Sequence, residues 1–485
     1  MKKVLFIIQS YPSERSANVL CDEKIMKALI NTGHYEVHCL CYQYDNQPLE
    51  EVIDGIHVHR WNRGGLWRLY SKAEFRGMRG GNIVIKLNRI FMRIKQVLFV
   101  PLFPFYEPVL AFRFKLKARK LYDKILFDIV LAEHNGLDTV YAGWKLKQKK
   151  NTVFIPVFWD SLSGGFRPKY LPKGFVDRRK EKLEEKIVND SDCAIMMQSH
   201  EAHGHDLYSK KPNILNKITF LDIPYLDMAN KSRSQINREK INIVFAGNMS
   251  MRDPSYFFKV VEISDTPNIV IHFFTDQKDG TRIRRLADSY NITVETHDYL
   301  PHNELVKYLK DADVLLNFGV DNPNAISGKI FEYIGFAKPI ISTYFIDDEA
   351  VLPVLNKYPA ALLLDERKEP KEYESAIGKF LADYEKAQID VGLIERTFKN
   401  NLPETYVETI EKVLNERSRC LGQKKTLDKF DIECSIILCG NSIEFFDNPI
   451  SGKKSRKRNL WILWNRQQLC KLHNDSSDSL ELNGS

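Results

Sequence analysis

Short apolar runs along the chain alternate with stretches in which apolar positions recur every three or four residues. The runs Val4–Ile8, Glu36–Cys41, Ile129–Ala132, Thr152–Phe158 and Ala194–Met197 read as buried strands, and Thr219–Ile223 closes this half. Between them Val19–Asn31 and Gly136–Lys149 carry the helical period. Apolar strands alternating with helices are the pattern of parallel sheets covered on both faces. Residues 228–240 almost lack large apolar side chains and read as a linker. The alternation then restarts with strands Ile241–Phe245, Ile269–Phe274, Asp313–Asn317, Pro339–Ser342 and Ala361–Leu364, and with helices Arg282–Ser289, Asn303–Asp311 and Gly328–Phe336. The expected fold class is α/β, two tandem doubly wound domains over 1–227 and 241–395, then a closing helix at 396–416 and a partly disordered tail at 417–485. In such sheets ligands bind beyond the carboxyl ends of the strands, so the cleft between two facing domains is the expected site.

Composition narrows this picture. With 485 residues, 44% hydrophobic and 28% charged, the chain is too long for one core and too apolar for a disordered one. The net charge of +8 is unevenly spread. Residues 60–120 hold fifteen Lys/Arg against Glu74 and Glu107, a local +13; the tail adds +4 and the remainder sums to −9. Large apolar side chains interleave with these cations, notably Ile90, Phe91 and the cluster Val97–Tyr106. That mixture reads as a basic amphipathic insertion lying on an anionic membrane surface. Prolines break the run well short of the roughly 18–20 apolar residues of a spanning helix. A partly buried insertion with snorkelling cations fits the same residues. Nucleic acid is disfavoured, because no zinc ligand set or RNA-recognition signature accompanies the charge. Met1–Ser10 has a five-residue apolar run and no small-residue cleavage site, so it reads as a first strand rather than a leader. Eight cysteines form no CxxC pair, which reads as reduced thiols in a cytoplasmic protein.

The stretch Asn317–Ile341 carries the most chemistry. A buried strand runs into a Pro/Asn/Gly loop, a helix begins near Ser327, and a Lys-Pro turn leads into another buried strand. Backbone N–H groups at Gly328 and Lys329, with the Lys329 ammonium, offer an anion site. Glu332, one turn further on the same face, offers a carboxylate suited to a pair of hydroxyls such as those of a ribose. An ordinary capped helix with a Lys–Glu pair is the plainer reading of the same residues.

On Ser327-Gly328-Lys329-Ile330-Phe331-Glu332-Tyr333-Ile334 followed by Lys338-Pro339-Ile340-Ile341, and on the two-domain layout, residues 1–416 resemble retaining glycosyltransferases of the GT-B fold, family 4 type, in the branch that makes bacterial surface polysaccharides. The resemblance implies two Rossmann-like domains, a UDP- or GDP-sugar donor on the second, no bound cofactor and metal-independent transfer with retention. Glu332 matches the Glu that binds the donor ribose. Asn324 stands where the family has the Glu that contacts the transferred sugar, a departure touching sugar identity. Phe245-Ala246-Gly247-Asn248 looks like the family's opening to the donor domain, and Arg252 stands in the loop where basic residues grip the diphosphate. In the first domain, Asp128–His134 resembles a family strand ending in a cleft-facing His, here His134. Trp159-Asp160 replaces the usual His-Asp, leaving Asp160 as an acceptor-side base or hydrogen-bond partner. Ser13, Ser16 and Asn18 stand where many relatives have a glycine pair.

Two further clusters read as non-catalytic. His200, His203 and His205 have poor metal-ligand spacing, with Gly204 interrupting, and Asp347-Asp348-Glu349 read as helix-capping acids. No metal site is expected. The reading is thus a transferase at the inner face of the cell membrane, peripheral, taking a nucleotide sugar to a lipid-linked or membrane-held glycan. A sugar-nucleotide epimerase or phosphorylase-like enzyme and a non-catalytic assembly scaffold are the alternatives.

Overall fold

The apolar runs assemble into two sheets. The computed structural model describes residues 1–419 apart from 13–16, 45–46, 76–79, 135, 164–170, 227–238, 250–251, 265, 291, 321–325 and 384–388. Asn324, Ser13, Ser16, most of the expected linker and the tail beyond Arg419 therefore lie outside the described residues. The first sheet contains β1 (Lys2–Ile7), β2 (Tyr35–Tyr42), β3 (Glu50–Ile53), β4 (Ile56–Trp61), β5 (Ile129–Glu133), β6 (Val153–Phe158), β7 (Ala194–Met197) and β8 (Ile218–Leu221). Their order is β3-β4-β2-β1-β5-β6-β7-β8, and β3–β4 is the antiparallel pair. Val4 pairs with Val37 on one side and Ile129 on the other, so the middle of the sheet is apolar.

The second sheet contains β9 (Ile241–Ala246), β10 (Ile269–Phe274), β11 (Val294–His297), β12 (Val314–Asn317), β13 (Ile340–Tyr344) and β14 (Ala361–Asp365). Its order is β11-β10-β9-β12-β13-β14, parallel throughout. Strand order reverses between β1 and β5 in one sheet and between β9 and β12 in the other. Those switch points are where doubly wound sheets open a crevice at their carboxyl ends.

Three strands go unexpected from the sequence: β3, β4 and β11. Two of these, β3 and β11, are edge strands with alternating or partial exposure, so they carry no continuous apolar run. The single closing helix expected at 396–416 is instead two helices, Val391–Thr397 and 403–419, split by a short turn. The second returns to the first half. Tyr406 Oη donates to the Asp222 carbonyl (2.6 Å), and Arg417 lies 3.7 Å from Asp192. Where the chain crosses from first half to second, Asp222 N donates to Asn400 O (3.1 Å) and Asn401 Nδ2 to Ile223 O (2.9 Å), so both crossings are tied together.

The basic segment 60–120 is not a detached insertion. Arg60 and Trp61 end β4, and helices Gly65–Phe75, Gly81–Leu98 and Pro108–Ile125 then cross to β5. Arg60 is a buried structural cation, donating from Nε and Nη2 to the Tyr11 carbonyl (3.1 and 2.8 Å). Trp61, Tyr42 and Phe114 meet ring to ring at 5.0–5.3 Å, which seats the last of these helices on the sheet. The expected membrane cluster Val97–Tyr106 is divided: Val97, Leu98 and Leu102 are exposed, whereas Phe103 and Pro104 are buried. The Phe103 carbonyl accepts from Arg179 (3.0 Å), and Phe105 packs edge-on against Tyr141. The exposed apolar stripe lies earlier, on Gly81–Leu98, where Ile83, Leu87, Ile90, Ile94, Val97 and Leu98 each expose 51–68% of their surface. Their spacing puts them on one helix face, with exposed Lys86, Arg89 and Arg93 along one flank.

Candidate functional site

Two of the residues expected on the donor side, Lys329 and Arg252, bond to the backbone at and just beyond the carboxyl end of β9. Lys329 opens the short helix Lys329–Gly335, and its Nζ donates to the Ala246 carbonyl (2.5 Å). A side chain on Gly247 would come within 3.5 Å of that ammonium and 3.2 Å of the Phe245 ring, so a glycine lets the two segments approach. Burial pushes the Lys329 ammonium down to about 8; Glu332 opposes the shift and the neighbouring Arg252 charge reinforces it. Two cations whose charges reach one another would attract an anion placed between them. Arg252 is held by the Phe318 carbonyl (3.3 Å) and the Asn248 carbonyl (2.7 Å), and burial lowers its pKa as well.

Glu332 is buried, and its Oε1 lies 2.6 Å from His302 Nε2. The expected ribose ligand thus has a protein partner on one oxygen. Gly328 packs against the second half's entry segment: a side chain there would meet the Tyr225 ring at 2.9 Å. Ser327 precedes it as half-buried coil, and the helix begins at Lys329 rather than at Ser327. The Asp347–Glu349 acids do not cap a helix. Asp347 pairs with Arg367 (2.6 Å), whereas Glu349 is buried and accepts from Val320 N (3.0 Å). Burial pushes the Glu349 carboxyl up to about 7, and its Oε2 has no hydrogen-bond partner among the described residues. It therefore braces the loop after β12 from the loop after β13 rather than serving as a surface cap.

In the first sheet, His134 follows β5, which borders the β1/β5 switch point, and Asp160 follows the next strand, β6. His134 Nδ1 lies 2.8 Å from the Asp160 carbonyl oxygen. A carbonyl only accepts, so Nδ1 carries the proton and Nε2 presents a lone pair. Burial lowers the imidazole's pKa, which favours the neutral ring and leaves that lone pair unprotonated. Asp160 contributes its backbone to this contact, and its carboxylate is exposed. The loop is anchored by Glu184, which accepts from Ser163 N (2.8 Å), Ser163 Oγ (2.9 Å), Ser161 Oγ (3.1 Å) and Tyr208 Oη (3.0 Å). His203 Nε2 joins that network at Ser163 Oγ (2.9 Å), while His205 faces Glu201.

Sequence reasoning missed a pair of buried acids here, Asp22 and Glu133. Both carboxyls are pushed up, first by desolvation; the Glu133 charge raises Asp22 further, while a hydrogen bond from Asp22 partly offsets the rise at Glu133. Trp159, where the resemblance expects a histidine, is buried beside them. One signal was present. Asp22 stands on the stripe Val19, Ile25, Met26, Leu29, an acid at a core position of an otherwise apolar helix face.

Neither a family model nor a curated protein matches the chain. Among solved structures, a glycosyltransferase from Rickettsia africae ESF-5 is similar over 85% of this chain and 98% of that one, with 12% identity and a TM-score of 0.53. The UDP-GlcNAc 2-epimerase from Methanocaldococcus jannaschii is similar over 84% of this chain and 99% of that one, with 14% identity and a TM-score of 0.50. The likeness is one of fold. The chain is an α/β protein of two parallel-sheet Rossmann-like domains, the GT-B architecture.

Proposed function

We propose that the chain is a glycosyltransferase that moves a sugar from a nucleotide diphosphate sugar to a membrane-held or lipid-linked glycan. The observation that carries this is the convergence of Lys329 and Arg252 at the carboxyl end of β9, with Glu332 one turn away. Cleaving the sugar–phosphate bond leaves extra negative charge on the diphosphate. Fixed cations aimed there lower the barrier most directly, and an oxocarbenium-like sugar is the complementary charge. Glu332 Oε2 would hold the ribose, with His302 fixing the carboxylate through Oε1. On the acceptor side His134 Nε2 would take or share the hydroxyl proton, with Asp160 at the rim. Retention, independence of a metal, and a role in surface polysaccharide assembly follow the sequence resemblance.

The exposed stripe on Gly81–Leu98 supports placement at an anionic bilayer. Apolar side chains would enter the headgroup boundary while Lys86, Arg89 and Arg93 meet lipid charge, each contributing about 1 kcal/mol. Among the described residues no helix is long and apolar enough to cross a membrane. The placement proposed is therefore peripheral, at the cytoplasmic face.

The buried Asp22–Glu133 pair favours a second reading, an epimerase that abstracts a proton from a bound nucleotide sugar. The test is calorimetry of the protein with a panel of uridine- and guanosine-diphosphate sugars, followed by product analysis by NMR. Slow donor hydrolysis and transfer to a lipid-linked glycan support the transferase. Interconversion of the donor sugar without an acceptor supports the epimerase, and no binding of any donor leaves a scaffold.

A further inference from the structure

Three potential ligands converge on the outer strands of the second sheet. His272 lies on β10, and Glu295 and His297 lie on neighbouring β11. His272 Nδ1 is 3.2 Å from His297 Nε2 and 3.4 Å from Glu295 Oε2, and His297 Nε2 is 3.8 Å from the same oxygen. A tetrahedral zinc ion with bonds of about 2.0–2.1 Å sets its ligand atoms about 3.3 Å apart. The three observed separations bracket that edge.

The surrounding bonds decide which nitrogen of His272 is free. Asn242 Nδ2 donates to the Lys240 carbonyl (2.7 Å) and to Asp313 Oδ2 (3.2 Å), which fixes the amide orientation. Its Oδ1 therefore accepts, and the group 3.0 Å away is His272 Nε2, which must carry the proton. His272 Nδ1 is left as a bare lone pair facing the carboxylate oxygen of Glu295. Two acceptors at 3.4 Å repel unless something positive lies between them. A single N–H on His297 can serve one of them well; a divalent cation serves all three.

The site is also preorganised. The His297 ring stacks on Phe274 (centroids 4.5 Å apart, planes 14° apart), with Tyr308 at 6.0 Å on its other contacts. An Asn–Asp relay behind His272 is the outer support that orients metal-binding imidazoles. His272 is buried, but the Glu295 side chain is 55% and the His297 side chain 30% exposed, so the fourth position opens to water.

We propose that His272, Glu295 and His297 bind a zinc-class divalent cation, with water as the fourth ligand. This set shares no residue with the donor or acceptor groups above, and the proposal stands whichever reaction the cleft performs. The test uses the full chain stripped with a chelator and titrated with Co²⁺ and Zn²⁺. The expected result is one cation per chain, a visible Co²⁺ spectrum of tetrahedral intensity, and its bleaching by Zn²⁺. His297→Gln and Glu295→Gln, at partly exposed positions that spare the fold, should each weaken binding at least tenfold. His59→Gln, on β4 of the first sheet, where His59 Nε2 lies 3.1 Å from His38 Nδ1 on β2, should leave it unchanged. Absence of stoichiometric binding, or binding that survives both substitutions, overturns the proposal.

Discussion

Replacing Lys329 by Met isolates the cation at the centre of the donor site. Burial brings the ammonium down to about 8 from an ordinary 10.5, so keeping its charge in the empty site costs about 3 kcal/mol. A diphosphate beside it would restore the ordinary pKa and return that free energy as affinity. The ceiling is therefore about 300-fold, and a single charge-assisted hydrogen bond of roughly 1.5–3 kcal/mol gives about 10–200-fold. The sign of the pH effect follows from the same shift. Below about 8 the empty site is already protonated; above it, binding must take up a proton, and affinity falls by up to tenfold per pH unit. Glu349, pushed up to about 7 near Arg252, adds a slope of its own in both proteins, so the difference between their curves reports Lys329. The assay is calorimetry of nucleotide-sugar binding from about pH 6.5 to 9.5, in buffers of different ionisation enthalpy to count protons. Lys329→Met should bind about 10–100-fold more weakly at neutral pH and take up no proton above about pH 8. If the variant binds within twofold of the parent and keeps its proton uptake, Lys329 does not face the diphosphate.

Three other outcomes are expected. Glu332→Ala should lower donor affinity or turnover at least tenfold, since it removes the proposed ribose carboxylate and leaves His302 unpaired; unchanged donor hydrolysis and transfer would discard that assignment. Changing Ile83, Leu87, Ile90 and Ile94 together to Gln should release the protein from anionic vesicles in flotation assays without altering its circular dichroism, and equal binding before and after removes the membrane role. Phe114→Ala, which empties the space between Tyr42 and Trp61, should destabilise the protein by about 3–5 kcal/mol in urea unfolding; a loss below about 1 kcal/mol would mean that this helix is not anchored through that ring.

The layout of both sheets was legible because their central strands are buried on both faces and read as unbroken apolar runs. Strand β11, Val-Glu-Thr-His, was not, because an edge strand needs no such run. For the same reason the His272–Glu295–His297 cluster was invisible. Its members lie on two strands whose adjacency exists only after the sheet forms. Lys329 and Glu332 could be picked out because helical spacing places them together locally. Glu133 was read only as a letter within a strand motif, since its burial against Asp22 depends on a helix that packs over the sheet. Within the basic segment, charge alone did not separate Phe103 and Phe114, which are core, from Ile90 and Ile94, which are surface.

The two tied crossings between the halves carry a mechanical consequence. A single connecting strand would let one half swivel freely over the other. Here the chain passes at 222–226 and again at 398–402, and the passages are laced together by Asp222, Ile223, Leu226, Asn400 and Asn401. Two passages bonded to one another hold the halves in register more firmly than a single connecting strand would, so the relative placement of the two sheets is set by five residues at this seam rather than by one linker.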